Sequence, residues 1–127
     1  MADVTLHADE RIDQLYSRDI QIIQSSQVFA FSLDAVLLGD FAQVAKGAKS
    51  QIVDLCAGTG AVGLFASAKT QGHITAVEIQ PRLAEMAQRS VILNDLTQQM
   101  TVLNEDLLAI THQLPKDSVD TVLCNPP

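Results

Sequence analysis

The sequence predicts an α/β protein built on a parallel sheet with crossover helices, on three observations. From Gln51 onward, short apolar runs alternate strictly with helix-patterned segments, the arrangement that builds a parallel sheet with crossover helices. The first of these runs ends in a glycine-rich turn, Asp54-Leu55-Cys56-Ala57-Gly58-Thr59-Gly60. The chain of 127 residues, 47% hydrophobic, is long enough for one buried core and too short for two.

Residues 1–50 read as a leader that packs on the core, with a short helix over Glu10 to Tyr16. Ile20–Gln24 and Val28–Ser32 follow as two extended runs separated by Ser25 and Ser26, the outline of a hairpin. A helix is expected from Leu33 to about Ala45, with Leu33, Val36, Leu37, Phe41 and Val44 on one apolar face. Ser32 is its candidate N-cap and Gly47 its stop.

Residues 51–127 carry the sheet. Ile52–Leu55 is its first strand, followed by the glycine turn and a helix over Val62 to Ala68. Ile74–Ile79 is the second strand. Pro81 then opens a helix where its missing N–H costs nothing, with Leu83, Met86, Ala87 and Val91 on one face and Asn94 at its end. Met100–Asn104 makes a third strand, Leu107–His112 a short helix and Val119–Asn125 a fourth strand. Right-handed crossovers place all four carboxyl ends on one edge of the sheet.

Composition narrows the function. A net charge of −7 with only 8 Lys and Arg argues against a nucleic-acid surface on this segment by itself, because such surfaces need clustered cations. No run approaches the ~20 apolar residues of a membrane span, and the acidic start MADVTLHADERID lacks the pattern of a signal peptide. A cytoplasmic protein without membrane association is expected. Cys56 and Cys124 cannot form a disulfide framework or a four-ligand zinc site, and free thiols at strand ends suit a reducing compartment. Both are expected to be small buried hydrophobes. No histidine stands at a motif, and no metal is called for.

The chemistry gathers at the strand ends. In the turn Asp54 to Gly60, the glycines let backbone pass close under a ligand, and the helix that follows presents free N–H groups. Cys56, Ala57, Gly58 and Thr59 belong to that turn. Gly58, Gly60 and Gly63 also satisfy the dinucleotide pattern G-x-G-x-x-G, so the turn alone does not choose a ligand. Glu78, near the end of the second strand beside Ile79, stands where an acid binds a ribose in such folds. Asp106 can accept from an adenine amino group or cap the short helix, and Leu107 can line an adenine slot. Asn125-Pro126-Pro127 follows the fourth strand directly. The proline pair makes a rigid loop, which offers the Asn side chain and a carbonyl as two acceptors for a planar NH2 group. Its place beside the first strand, where strand order reverses, is where ligands bind.

With these residues in view, the chain resembles the class I, Rossmann-like methyltransferases. It is most similar to the small-domain (MTS) group that includes the tRNA1(Val) adenine-N6 methyltransferases. DLCAGTGAVG matches the first motif of that group, VEIQ the ribose acid, NEDL the adenine contact, and NPP the start of an Asn/Asp/Ser-Pro-Pro-aromatic catalytic motif. ERIDQLYSRDIQIIQSSQVFAFSLDAVLLGDFA resembles the region before the first motif. The resemblance implies S-adenosyl-L-methionine as cofactor, Asn125, Pro126 and Pro127 as catalytic residues, and a tRNA or another nucleic acid as substrate. It also makes Phe31 and Asp34 candidates for closing the cofactor pocket. The aromatic residue and later strands of the group do not follow Pro127, so the chain is expected to be the cofactor-binding portion of a longer enzyme, inactive alone.

Other readings stay open at this point. A protein glutamine, a guanine N2 or a DNA adenine would suit the same NPP loop. An NAD-binding oxidoreductase would share the sheet, the glycines and Glu78, although three residues separate Asp54 from Gly58 and NPP has no role there. A noncatalytic fragment that self-associates through an uncovered sheet edge is the remaining alternative.

Overall fold

A computed structural model describes residues 3–15, 19–28, 30–31 and 33–127. The leader contains strands β1 (Glu10–Leu15) and β2 (Ile20–Ser25), paired antiparallel with Glu10 opposite Ser25 and Leu15 opposite Ile20. The segment expected to be a helix is therefore the first strand of the hairpin, and Val28 stands in a bend rather than in the second strand. Helix propensity, a weak prior, loses here to pairing with the buried strand β2 and to two anchors: Leu15 is fully buried, and Glu10 is held by Arg89. Tyr16, Phe29 and the Ser32 cap lie outside the described residues.

Helix α1 (Leu33–Phe41) ends four residues earlier than its apolar pattern suggests, well before Gly47. Its buried side is also different. Ala35, Val36 and Gly39 face inward, whereas Leu33, Leu37 and Phe41 are 65%, 53% and 86% exposed. Val44 is buried too, but from the loop after the helix. The reason is close approach: a Cβ at Gly39 would lie 2.8 Å from Phe65 Cβ, so the small residues must take the contact. The Lys69 ammonium then closes the helix end by donating to the carbonyls of Gly39, Asp40 and Ala42, a favourable place for a cation.

The remaining elements follow the expected alternation: β3 (Gln51–Leu55), α2 (Ala61–Ser67), β4 (His73–Val77), α3 (Pro81–Leu93), β5 (Met100–Leu103), α4 (Leu107–Ile110) and β6 (Thr121–Cys124). The four strands form one parallel sheet in the order β5-β4-β3-β6. Strand order thus reverses at β3, between β4 on one side and β6 on the other. Every residue of α2 is buried, because it lies between the sheet and α1 and packs Leu64, Phe65 and Ala66 against Ile52, Ile74 and Met100. Gly63 permits this contact, since a Cβ there would meet Met100 Cε at 2.9 Å. The opposite face of the sheet is covered by Ile110, Leu114 and Val119 over Val53 and Val77. Val122, on edge strand β6, is left 57% exposed.

The hairpin rides on α3, whose polar side chains complete its open edge. Asn94 accepts from Gln21 N at 2.8 Å and donates back to Gln21 O at 2.6 Å, while Ser90 Oγ accepts from Ile23 N at 2.9 Å. These are the bonds a further strand would supply, so the backbone of β2 is satisfied at Gln21 and Ile23. Arg89 donates to both Glu10 oxygens at 2.7 and 2.8 Å and to Thr5 O at 2.9 Å. Arg82, Asp9 and Ser25 form a second junction. Among the described residues no helix is long and apolar enough to cross a membrane.

Candidate active site

At the carboxyl end of β3 the backbone leaves the strand through left-handed residues, Cys56 at φ 55°, Gly58 at 59° and Gly60 at 93°. The turn is fixed from below, because Ala57 N donates to Val77 O and Gly60 N to Ala57 O, both at 2.9 Å. A Cβ added at Gly58 would meet nothing within 4 Å. That glycine therefore opens onto free space, and its positive φ rather than crowding accounts for its identity.

Glu78 stands just past β4 and is buried. Its Oε1 accepts from Gly58 N and its Oε2 from Gln80 N, each at 2.8 Å. A carboxylate has about four acceptor positions, so two remain for a ligand. The acid therefore shapes the turn as well as facing the cleft. Asn104, which the sequence did not single out, donates to Glu78 O at 2.9 Å and Ile79 O at 3.0 Å. An Asn after a strand reads as an ordinary strand end, and only the fold shows that it ties two loops together.

Asp54 is 1% exposed and points under the turn, where Oδ2 accepts from Gly63 N at 3.1 Å. Burial pushes its carboxyl up to about 7; the Gly63 bond opposes this and the Glu78 charge adds to it. Asp54 and Gly60 lie beneath the site and do not line it. Asp106 caps α4, accepting from Leu108 N at 3.0 Å, so the cap expected as one of its roles is present.

Together these ends enclose a cleft of ≈ 730 Å³, within the range of small-molecule and cofactor sites. Cys56, Ala57, Gly58 and Thr59 form one wall, Glu78 and Ile79 a second, Asp106 and Leu107 a third. Asn125, Pro126 and Pro127 line it from β6, and Phe31 with Asp34 from the leader. Ala30, Gln80, Leu83 and Leu108 also line it. Leu83, expected on the apolar face of its helix, packs there with Met86 and also lines the cleft. The cysteines are not both buried hydrophobes: Cys56 is half-buried and Cys124 exposed. No metal-ligating cluster occurs among the described residues.

Comparison with known proteins places the chain in a family and a fold. Residues 20–127 match the family described as methyltransferase small domain. Two curated relatives named tRNA1(Val) (adenine(37)-N6)-methyltransferase are similar to the chain. That of Aliivibrio fischeri is 36% identical over 97 residues, covering 76% of this chain and 39% of the relative. That of Shewanella baltica is 31% identical over 99 residues, covering 77% and 41%. The chain thus spans about two fifths of the length of the curated relatives it matches. Among solved structures, Pyrococcus horikoshii TYW2 in complex with MeSAdo superposes with TM-score 0.73 at 20% identity, over 91% of this chain and 42% of that one. A SAM-dependent methyltransferase from Agrobacterium tumefaciens superposes with TM-score 0.71 at 17% identity, over 97% and 41%. At those identities the likeness is one of fold.

Proposed function

This chain belongs to the methyltransferase small domain family, and from that premise we propose that it carries the cofactor cleft and acceptor loop of an S-adenosyl-L-methionine-dependent N-methyltransferase acting on an adenine N6 in tRNA. One observation carries the reading. The glycine turn, the Glu78 carboxylate and the Asn125-Pro126-Pro127 loop, far apart in sequence, line one cleft at the point where strand order reverses.

The residues present fit the cofactor. Gly58 leaves open space where a side chain would stand, and Glu78 retains acceptor positions beyond its two backbone bonds. Glu78 would accept from the ribose hydroxyls, Leu107 and Ile79 would bracket the adenine, and Phe31 and Asp34 would close the cleft from the leader. Bound there, the cofactor supplies an electrophilic methyl group. On the acceptor side, the Asn125 side-chain oxygen and the Pro126 carbonyl accept the two hydrogens of a planar amino group. These bonds hold the group in place and localise its nitrogen lone pair, a preorganised electrostatic contribution. Pro126 and Pro127 keep both acceptors rigid.

The tRNA acceptor rests on the names of the relatives together with the NPP loop. The experiment is incorporation of tritiated methyl into unmodified tRNA by the polypeptide that carries these residues, with and without Asn125→Ala. Loss of about a hundredfold or more is expected, the cost of removing one donor or acceptor aimed at the reacting group. Methylation of protein glutamine, guanine or DNA in preference to tRNA would replace the acceptor and retain the cleft.

A further inference from the structure

Two thiols meet where the cofactor turn and the acceptor loop leave the sheet. β3 and β6 are adjacent and parallel, with Leu55 opposite Cys124, and such strands lie about 4.8 Å apart. Along a regular strand Cys56 would point to the face opposite Leu55 and Cys124. Its left-handed backbone, φ 55°, breaks that alternation at the strand end, and the neighbouring Cys124 thiol lies near enough to help raise that of Cys56. The diagonal of adjacent strands falls within the about 4.4–6.8 Å between Cα atoms that a disulfide requires. Cys124 is exposed and Cys56 half-buried on the cleft wall. Of the two, Cys124 is the more open to solvent.

We propose that Cys56 and Cys124 form an oxidation-sensitive dithiol whose disulfide ties the glycine turn after β3 to the Asn125-Pro126-Pro127 loop after β6. Hydrogen peroxide supplies the oxidation. The exposed Cys124 sulfur attacks one peroxide oxygen, the O–O bond breaks, and a sulfenic acid and one water form. The Cys56 sulfur then attacks the Cys124 sulfur. The S–S bond forms, hydroxide leaves with the Cys56 proton as a second water, and peroxide has taken two electrons in all. Burial and the neighbouring Cys124 hold the Cys56 thiol above the ordinary range, so Cys56 suits the resolving role rather than the first attack.

The consequence of the bridge rests on the proposed function. Joining the two sulfurs in a covalent bond of about 2.05 Å draws Cys124 toward Cys56, and Asn125 is the next residue along. Cys56 in turn precedes Ala57 and Gly58, whose positions are set by Val77 and Glu78. Oxidation therefore strains the cofactor turn and the acceptor loop together.

The test exposes the protein to hydrogen peroxide and reads intact mass and cross-linked peptides without reduction. A monomer lighter by two hydrogens is expected, with a Cys56–Cys124 linked peptide, loss of both maleimide-reactive thiols and recovery with dithiothreitol. In Cys124→Ser, Cys56 should keep its free thiol at the same dose. Sulfinic acid on Cys124 with Cys56 still free, or a covalent dimer through Cys124, would overturn the proposal. Titration of both forms with S-adenosylhomocysteine should show about tenfold weaker binding when oxidised, equivalent to one lost turn hydrogen bond. Equal affinity would overturn the coupling to the cleft. Binding to neither form would count against the proposed function and leave the disulfide standing.

Discussion

The Glu78 carboxylate accepts the Gly58 backbone N–H at 2.8 Å, while its other oxygen accepts that of Gln80 at the same distance. A residue expected to hold a ribose is therefore also the clamp of the glycine turn. Glu78→Ala should weaken S-adenosylhomocysteine binding by about tenfold or more, since bonds to a charged acceptor are worth about 1.5–3 kcal/mol each. Glu78→Gln keeps one acceptor oxygen and should lose less. Calorimetric titration checks the order, and faster amide exchange at Gly58 should accompany the alanine variant. An unchanged dissociation constant would remove Glu78 from the site.

Asp54 gives the fold a pH dependence with a defined sign. Its folded carboxyl titrates at about 7 against an ordinary value of 3.8, so the folded state holds the proton more tightly than the unfolded one. Its contribution is full below about 3.8 and is lost as pH rises through 7, each unit of separation being worth about 1.4 kcal/mol. Asp54→Asn should flatten urea-unfolding stability between those values and be the more stable protein above them. Parallel stability curves for the two would contradict the assignment.

The sheet was legible because parallel strands are short apolar runs with both faces covered, punctuated here by Gly58, Gly60 and Pro81. The cleft was legible for the same reason: strand ends locate the ligand edge once the order of elements is known. The leader was not. Glu-Arg-Ile-Asp-Gln-Leu reads as helix-forming, and its strand state depends on β2, on Arg89 and on a helix α3 that lies more than sixty positions later in the chain. The inward face of α1 was hidden because Gly39 carries no hydropathy signal; what requires it there is the distance to Phe65. The second job of Glu78 and the tie made by Asn104 need contacts between loops, which periodicity does not encode.

Arg89 should be the most sensitive leader anchor. The Glu10 side chain is fully buried against it, and the guanidinium holds that carboxyl down to about 2. Arg89→Ala leaves the buried Glu10 carboxylate without its guanidinium and with the His7 N–H as its remaining donor, with an expected loss on the order of 3 kcal/mol. In the wild type, the Glu10 contribution is present above its ordinary value of 4.5 and is lost as pH falls through about 2. Denaturant midpoints measured from pH 6 downward, for wild type and Arg89→Ala, check both the size and the acid limb.

Gly39→Ala tests the packing of α1 on α2. The added Cβ would stand 2.8 Å from Phe65 Cβ, so the helices must separate or Phe65 must move. A loss of about 1–3 kcal/mol is expected, although alanine is the better helix former. Thermal unfolding reads the sign, and a stabilised variant would show that α1 is not seated on Phe65 as described.

The most direct test of the account is a paired calorimetric titration of this chain with S-adenosylhomocysteine and with NAD. The cleft formed by the glycine turn, Glu78, Leu107 and the Asn125 loop should bind S-adenosylhomocysteine at one site and more tightly than NAD. Tighter binding of NAD, or no binding of S-adenosylhomocysteine by folded protein, would contradict it.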